Sequence, residues 1–263
     1  MTHPDHEKNR KTWDKMVDLH VNHPSYKTQQ VIDGGSSLKR IELEALGDVT
    51  GKSLLHLQCQ FGLDTLSWAR QGAIVTGADI SQRSVEVARE IAVKARLEAD
   101  FVQSDVLELI GKIDRKFDIV FQSYGTHMWL SEMKKLAEVV AHYLKPGGTF
   151  LLVDEHPIAW LFLYADENFD YFATEPYRTV NPRDYCEMDT HIEGEHVEWI
   201  HNLSEIFSAF IGAGFEIERF EEYPFGYYMA ENDWYSEDGG DYWFPPGGRT
   251  KFPILMKFQA RKK

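Results

Sequence analysis

Five points along the chain close short apolar runs with polar side chains fit for chemistry. They are Gln58-Cys59-Gln60-Phe61-Gly62, Asp79, Ser104-Asp105, the run Gln122 to His127, and Asp154-Glu155-His156. The first passes from an apolar run into a helix signal, and backbone N–H groups at such a turn favour a carboxylate or a phosphate. An acidic residue roughly 20 residues beyond the turn, here Asp79, can take both hydroxyls of a ribose. Asp105 could accept a hydrogen bond from an adenine amino group, or cap the short helix that follows it. Gln122, Ser123 and Tyr124 form a polar shelf. His127 and His156 both follow strands and are the candidate general bases, with a positioning role as the competing reading. His56 lies inside a strand and reads as a core histidine, and Cys59 as a small buried filler.

The elements that must position these residues alternate. Apolar runs at 53–58, 73–79, 100–105, 117–124 and 149–156 read as strands. Between them, 63–72, 81–97 and 131–144 read as helices. Ser81 is a plausible N-cap, and Val85, Ala88, Ala92 and Ala95 share one face. Met133, Leu136, Val140 and Leu144 do the same in the later helix, which Lys145-Pro146-Gly147-Gly148 ends. Such alternation predicts a parallel, doubly wound sheet, and right-handed crossovers put every strand's C-terminal end on one edge, where ligands bind. Upstream, a helix over 7–20 carries Trp13, Met16, Val17 and His20 on one face, and a second runs from Ser36 to Gly47. Residues 157–200 break the rhythm and read as an insertion over the ligand edge, with a short hairpin. A helix at 203–215 and strands near 216–225 and 250–262 read as an antiparallel closure of the sheet, with Pro253 at a strand start or edge.

The 263 residues carry a net charge of −14, which repels phosphate backbones and argues against nucleic acid as a partner. Cys59 and Cys186 form neither a metal-ligand spacing nor a disulfide framework, so a reducing, cytoplasmic setting is expected. The start lacks an apolar signal region and no apolar run reaches membrane-spanning length, so no membrane partner is expected.

Taken together, LLHLQCQFG, VTGADIS, FVQSDV, FDIVFQSYG and LKPGGTFLLVDEH resemble, in that order, a class I S-adenosylmethionine-dependent methyltransferase. The resemblance covers roughly residues 50–156, in particular to the small-molecule branch found in many bacteria, where an N-terminal helix with a tryptophan, as in TWDKMVDLH, recurs. It implies an α/β fold with a doubly wound, seven-stranded, mostly parallel Rossmann-like sheet whose last strand is antiparallel. It implies an N-terminal helical cap over 1–47 and a methyltransferase domain over 48–263, with a lid insertion at about 157–200 and an aromatic loop at about 223–249. S-adenosylmethionine would be the cofactor, leaving as S-adenosylhomocysteine. Gln58, Cys59, Gln60 and Gly62 would line its methionine end. Asp79 would hold the ribose, with Ile80 on the adenine and Ser104, Asp105 and Val106 at the adenine edge. Gln122, Ser123 and Tyr124 would sit beside the sulfonium. His127, His156 and Tyr124 are the catalytic candidates, and Trp13, His20, Trp160 and Tyr228 the candidate substrate contacts. Asp154, Glu155 and His156 with His20 could suggest a metal, but methyl transfer needs none and none is assigned.

The first motif departs from the class. An acidic residue at position 56 and glycines at 58 and 60 are usual; here they are His56, Gln58 and Gln60, and Gly62 alone matches. A glutamine fits at 58 if its φ is negative and its side chain turns away. The missing acid leaves the cofactor's amino group to another residue. The expected reaction is in-line methyl transfer to nitrogen or oxygen of a small acceptor, an amine or planar heterocycle, by a monomer or homodimer. A silent S-adenosylmethionine-binding module is the alternative. A nicotinamide-dependent dehydrogenase is disfavoured, because a pyrophosphate needs glycines at 58 and 60.

Overall fold

The computed structural model describes residues 2–163, 169–187, 189–227, 234–236 and 241–263. The chain opens with α1 (Pro4–His20), α2 (Thr28–Ile32) and α3 (Arg40–Leu46). The alternating part follows as β1 (Ser53–Leu57), α4 (Leu63–Arg70), β2 (Ile74–Asp79), α5 (Gln82–Ala95), β3 (Asp100–Gln103), β4 (Phe117–Ser123), α6 (Met133–Tyr143) and β5 (Leu144–Glu155). Then come α7 (Trp160–Leu163), the β6 (Tyr177–Val180) and β7 (Glu195–Glu198) pair, α8 (Leu203–Gly212), β8 (Phe215–Tyr223) and β9 (Leu255–Lys262).

Seven strands form one sheet in the order β3-β2-β1-β4-β5-β9-β8. The first five pair in parallel, and β9 is antiparallel to both β5 and β8. The sheet is covered on both faces, which is why its central strands are apolar at consecutive positions. Leu55, Val120 and Phe150 pack against α6 and α8 on one face. Leu54, Trp68, Ile119 and Phe121 pack on the other, with Leu38 and Ile41 from the α3 region. The strand order reverses between β1 and β4, and that crevice is where ligands bind in such sheets. On the β2–β3 side of the sheet Gly77 and Gly62 permit close packing: a Cβ on either would stand 2.7 Å from the Phe101 ring.

Some local expectations shift. α3 begins at Arg40 rather than Ser36, because the Ser36 and Ser37 hydroxyls are engaged elsewhere, Ser36 with Leu38 N–H and Ser37 with Asp64 and Ser67. On α5, Ile91 is buried while Ala95 is only half-buried. The Pro146-Gly147-Gly148 turn lies within β5, and the register to β4 jumps across it. Pro253 precedes β9. The insertion contributes the separate β6–β7 antiparallel pair. Among the described residues no helix is long and apolar enough to cross a membrane.

Candidate active site

The turn after β1 adopts the glycine conformation without the glycines. Gln58 has φ 53, Gln60 φ 50 and Gly62 φ 81. The expected negative φ at Gln58 is therefore wrong. A left-handed backbone costs a non-glycine residue about 1–2 kcal/mol, so other bonds must hold it. Gln58 Nε2 donates to the Thr126 carbonyl at 2.9 Å, and Gln122 Nε2 donates to Gln58 Oε1. Gln60 N–H donates to Asp79 Oδ2 at 2.8 Å, and its Nε2 donates to the Tyr26 hydroxyl at 3.0 Å. The two amides tie the turn to β4 on one side and to the N-terminal region on the other.

Asp79, at the end of β2, also accepts the Ser81 N–H at 2.8 Å. Burial pushes its carboxyl up to about 6 against these N–H bonds. Ile80 accepts from Gln103 Nε2 through its carbonyl. Ser104 N–H donates to the Asp79 carbonyl, and Lys112 Nζ donates to the Ser104 hydroxyl. Asp105 caps the helical turn Val106–Glu108 through Leu107 N–H, the role weighed against adenine contact. Its other oxygen meets His6 Nδ1 at 2.8 Å. His6 Nε2 accepts the Ser131 N–H at 3.1 Å, so Nδ1 carries the hydrogen and donates. His6 was not among the expected residues; nothing local marks it.

At the end of β4, Gln122 is fully buried and its Oε1 has no hydrogen-bond partner among the described residues. Ser123 donates to Asp64 Oδ2 at 3.0 Å. Tyr124 (φ 52) turns towards α3 and donates to Glu42 Oε2 at 2.8 Å. His127 and Asp154 form a buried pair with Nδ1 to Oδ2 at 2.8 Å. Thr126 and His127 N–H groups and the Thr126 hydroxyl also donate to Asp154 Oδ2. Burial alone would raise the Asp154 carboxyl; the His127 ring and these hydrogen bonds outweigh it and hold it at about 2. A carboxylate there accepts the Nδ1 hydrogen and leaves His127 Nε2 as the basic nitrogen.

His156 faces elsewhere. Its Nδ1 accepts the Ile158 N–H, its Nε2 stands 3.0 Å from a Glu222 oxygen, and burial, then the neighbouring His127, pushes it down to about 4. Trp160 Nε1 donates to Glu155 Oε2 at 2.8 Å. His20 Nε2 lies 2.7 Å from Asp184 Oδ2, and donor atoms of His20, Asp184 and Cys186 lie within 4.8 Å of one another. His20 thus joins the insertion, not Asp154. Trp13 meets Trp129 edge-on at 5.3 Å and stacks on His196 at 6.2 Å. Tyr228 lies outside the described residues. Within the aromatic loop, Phe225 and Tyr242 are buried in the core and Phe244 packs against it, and the Tyr242 hydroxyl accepts the Ile41 N–H.

α1 crosses this edge. It reaches Asp105 through His6 and the start of α5 through Asp14, whose carboxylate accepts the Ser81 hydroxyl at 2.6 Å. On its other side Asn9 exchanges two hydrogen bonds with Val197 on β7, at 2.7 and 2.8 Å. α1 and the β6–β7 pair therefore hold to each other, and α1 also to the strand ends.

Residues 54–148 match a family model described as a methyltransferase domain. A ubiquinone biosynthesis O-methyltransferase of Klebsiella pneumoniae is 32% identical over 124 residues, 45% of this chain and 49% of that protein. The chain spans about half the length of the curated relatives it matches. Among solved structures, an S-adenosylmethionine-dependent methyltransferase from Clostridium acetobutylicum superposes with a TM-score of 0.59 at 16% identity, over 97% of this chain and 98% of that one. The magnesium protoporphyrin IX methyltransferase of Synechocystis, solved with bound SAH, gives 0.52 at 15% identity, over 95% of this chain and 100% of that one. Residues 54–148 thus match a methyltransferase domain, and the chain has the fold of solved S-adenosylmethionine-dependent methyltransferases.

Proposed function

We propose that the protein moves a methyl group from S-adenosylmethionine to a hydroxyl of a small-molecule acceptor. The observation that carries this reading is the buried His127–Asp154 pair at the C-terminal edge of β4 and β5. A hydroxyl must lose a proton as it attacks, and a neutral imidazole held by a carboxylate at Nδ1 can take it at Nε2. The O-methyltransferase named among the relatives supports oxygen over nitrogen.

The residues present fit the cofactor. The orphaned Gln122 Oε1 is a buried acceptor at the switch crevice, and Asp79 offers a carboxylate at the end of β2. Gln58 to Gly62 would face the methionine end, Asp79 and Ile80 the ribose and adenine, and Ser104 to Val106 the adenine edge. Gln122, Ser123 and the Tyr124 backbone would line the reacting end. Bound S-adenosylmethionine supplies an already activated methyl group, transferred by in-line displacement. The chain's own work is to align the acceptor, take its proton at His127 Nε2 and exclude water. α1 and the insertion, which include Trp13, His20 and Trp160, would form the cap over the acceptor. Their rings suit a planar acceptor by stacking. The unpaired state of Cys59 and Cys186 agrees with a reducing, cytoplasmic setting.

The test is turnover of methyl-labelled S-adenosylmethionine with a panel of small phenols, other alcohols and amines. Label entering a hydroxyl compound, and lost with His127→Ala, is the expected result. Label entering amines alone would remove the base from the mechanism, and no turnover with tight cofactor binding would mark a silent binder.

A further inference from the structure

Three side chains with metal-binding atoms converge where α1 ends. His20 is the last residue of α1, and Asp184 and Cys186 lie in the connection between β6 and β7. Their ligand atoms all lie within 4.8 Å of one another, and among the described residues no other three of His, Cys, Asp or Glu come together in this way. His20 and Asp184 are fully buried and Cys186 is half-buried. The set is also held from outside. Asp184 Oδ1 accepts the Cys186 N–H at 2.8 Å and the Glu187 N–H at 3.0 Å, which fixes the carboxylate and leaves Oδ2 to face His20 Nε2 at 2.7 Å. His20 is the only ion-pair partner of Asp184 within 4 Å among the described residues. On the far side of the ring, His20 Nδ1 lies 3.3 Å from the hydroxyls of both Tyr26 and Tyr185. A metal-bound histidine needs such an oxygen at its second nitrogen to fix its tautomer.

We propose that His20 Nε2, Asp184 Oδ2 and Cys186 Sγ bind a zinc ion that clamps α1 to the β6–β7 connection. One imidazole, one carboxylate and one thiolate form a donor set that suits zinc, which takes nitrogen, oxygen and sulfur alike. The fourth tetrahedral position falls to a water molecule, since Cys186 is only half-buried. His20 Nε2 and Asp184 Oδ2 share a hydrogen at 2.7 Å. Zinc takes that hydrogen's place, and ligand bonds of about 2.0–2.2 Å part the two atoms to about 3.3 Å. The His20 hydrogen passes to Nδ1, where a tyrosine hydroxyl accepts it, and the Cys186 thiol proton goes to solvent. The clamp also reaches the turn after β1, because the Tyr26 hydroxyl accepts Gln60 Nε2 at 3.0 Å. The competing reading is a hydrogen-bonded His–Asp pair with an unrelated thiol beside it. The inference stands apart from the methyl-transfer reading and does not require it.

The two readings separate by metal titration of the full chain, free of any affinity tag and stripped with a chelator. Zinc is added in competition with a chromogenic chelator, and cobalt(II) is added separately and followed by absorption. The expected result is one equivalent of zinc and a thiolate-to-cobalt charge-transfer band. Cys186→Ser should weaken zinc by at least about tenfold, since even an outer partner of a metal ligand is worth that much. It should also abolish the cobalt band, while Cys59→Ala keeps it. Wild-type chain that takes up no stoichiometric zinc, or that binds cobalt without the charge-transfer band, overturns the site without need of any variant. Zinc affinity unchanged in Cys186→Ser overturns it as well. Neither readout uses the cofactor or turnover, so a failure here leaves the proposed reaction untouched.

Discussion

His6 and Asp105 stand 99 residues apart in the chain and 2.8 Å apart in space, each with its side chain 2% exposed. Through this bond the N-terminal helix closes on the carboxylate that the class would offer to adenine. Leaving a buried carboxylate without its donor costs about 1–3 kcal/mol. His6→Ala is therefore expected to lower the melting temperature. If the bond must open for the cofactor to enter, the same variant takes up S-adenosylhomocysteine faster in stopped-flow mixing. A lower melting temperature with an unchanged association rate would mean that α1 is not the gate.

The ribose contact proposed for Asp79 should depend on pH. Burial raises the Asp79 carboxyl to about 6 in the folded chain. A folded-state value above the unfolded one means that the ionised group opposes folding; its penalty appears as pH rises from about 4 and is complete above about 6. Ribose hydroxyls donate best to the ionised form. Affinity for S-adenosylhomocysteine should thus fall as pH drops through about 6, and Asp79→Asn should bind more weakly with a flat profile. A wild-type profile that is flat from pH 5 to 8 would contradict this role.

Asp154 has the opposite sign. Its folded value of about 2 lies below the unfolded one, so its stabilisation is present above about 4 and lost as pH falls through about 2. Asp154→Asn should lower both stability and turnover. His127→Ala should reduce turnover by about 10²–10⁴, the range for a general base, with cofactor affinity held within about twofold. Loss of cofactor binding in His127→Ala would make it a structural residue instead.

The left-handed glutamines give a stability test. Gln58→Ala keeps the strained backbone and removes two side-chain hydrogen bonds, a loss of about 1–3 kcal/mol. Gln58→Gly loses the same bonds but relieves the backbone, so it should be the milder change by about 1 kcal/mol. Urea melts of the two variants check the order; equal losses would mean that the backbone at 58 is unstrained.

The central sheet was readable because consecutive apolar residues can only be buried on both faces, as Ile119, Val120 and Phe121 are. The strand-end corners followed from where those runs stop. The conformation of Gln58 was not readable, since φ above zero is normally signalled by glycine and here is held by partners 64 and 68 residues away. His6 and Asp184 carry no local mark either: each meets its partner, Asp105 or His20, only when the N-terminal helix is laid over the strand ends. The start of α3 was misplaced for a related reason, because Ser37 caps nothing on its own helix and bonds α4 instead.

The most direct measurement is calorimetric titration of the whole chain with S-adenosylhomocysteine and, separately, with NAD. Saturable one-site binding of S-adenosylhomocysteine, weakened by about 1–3 kcal/mol in Asp79→Ala, with no binding of NAD, is the expected result. Binding of NAD with none of S-adenosylhomocysteine would contradict the account.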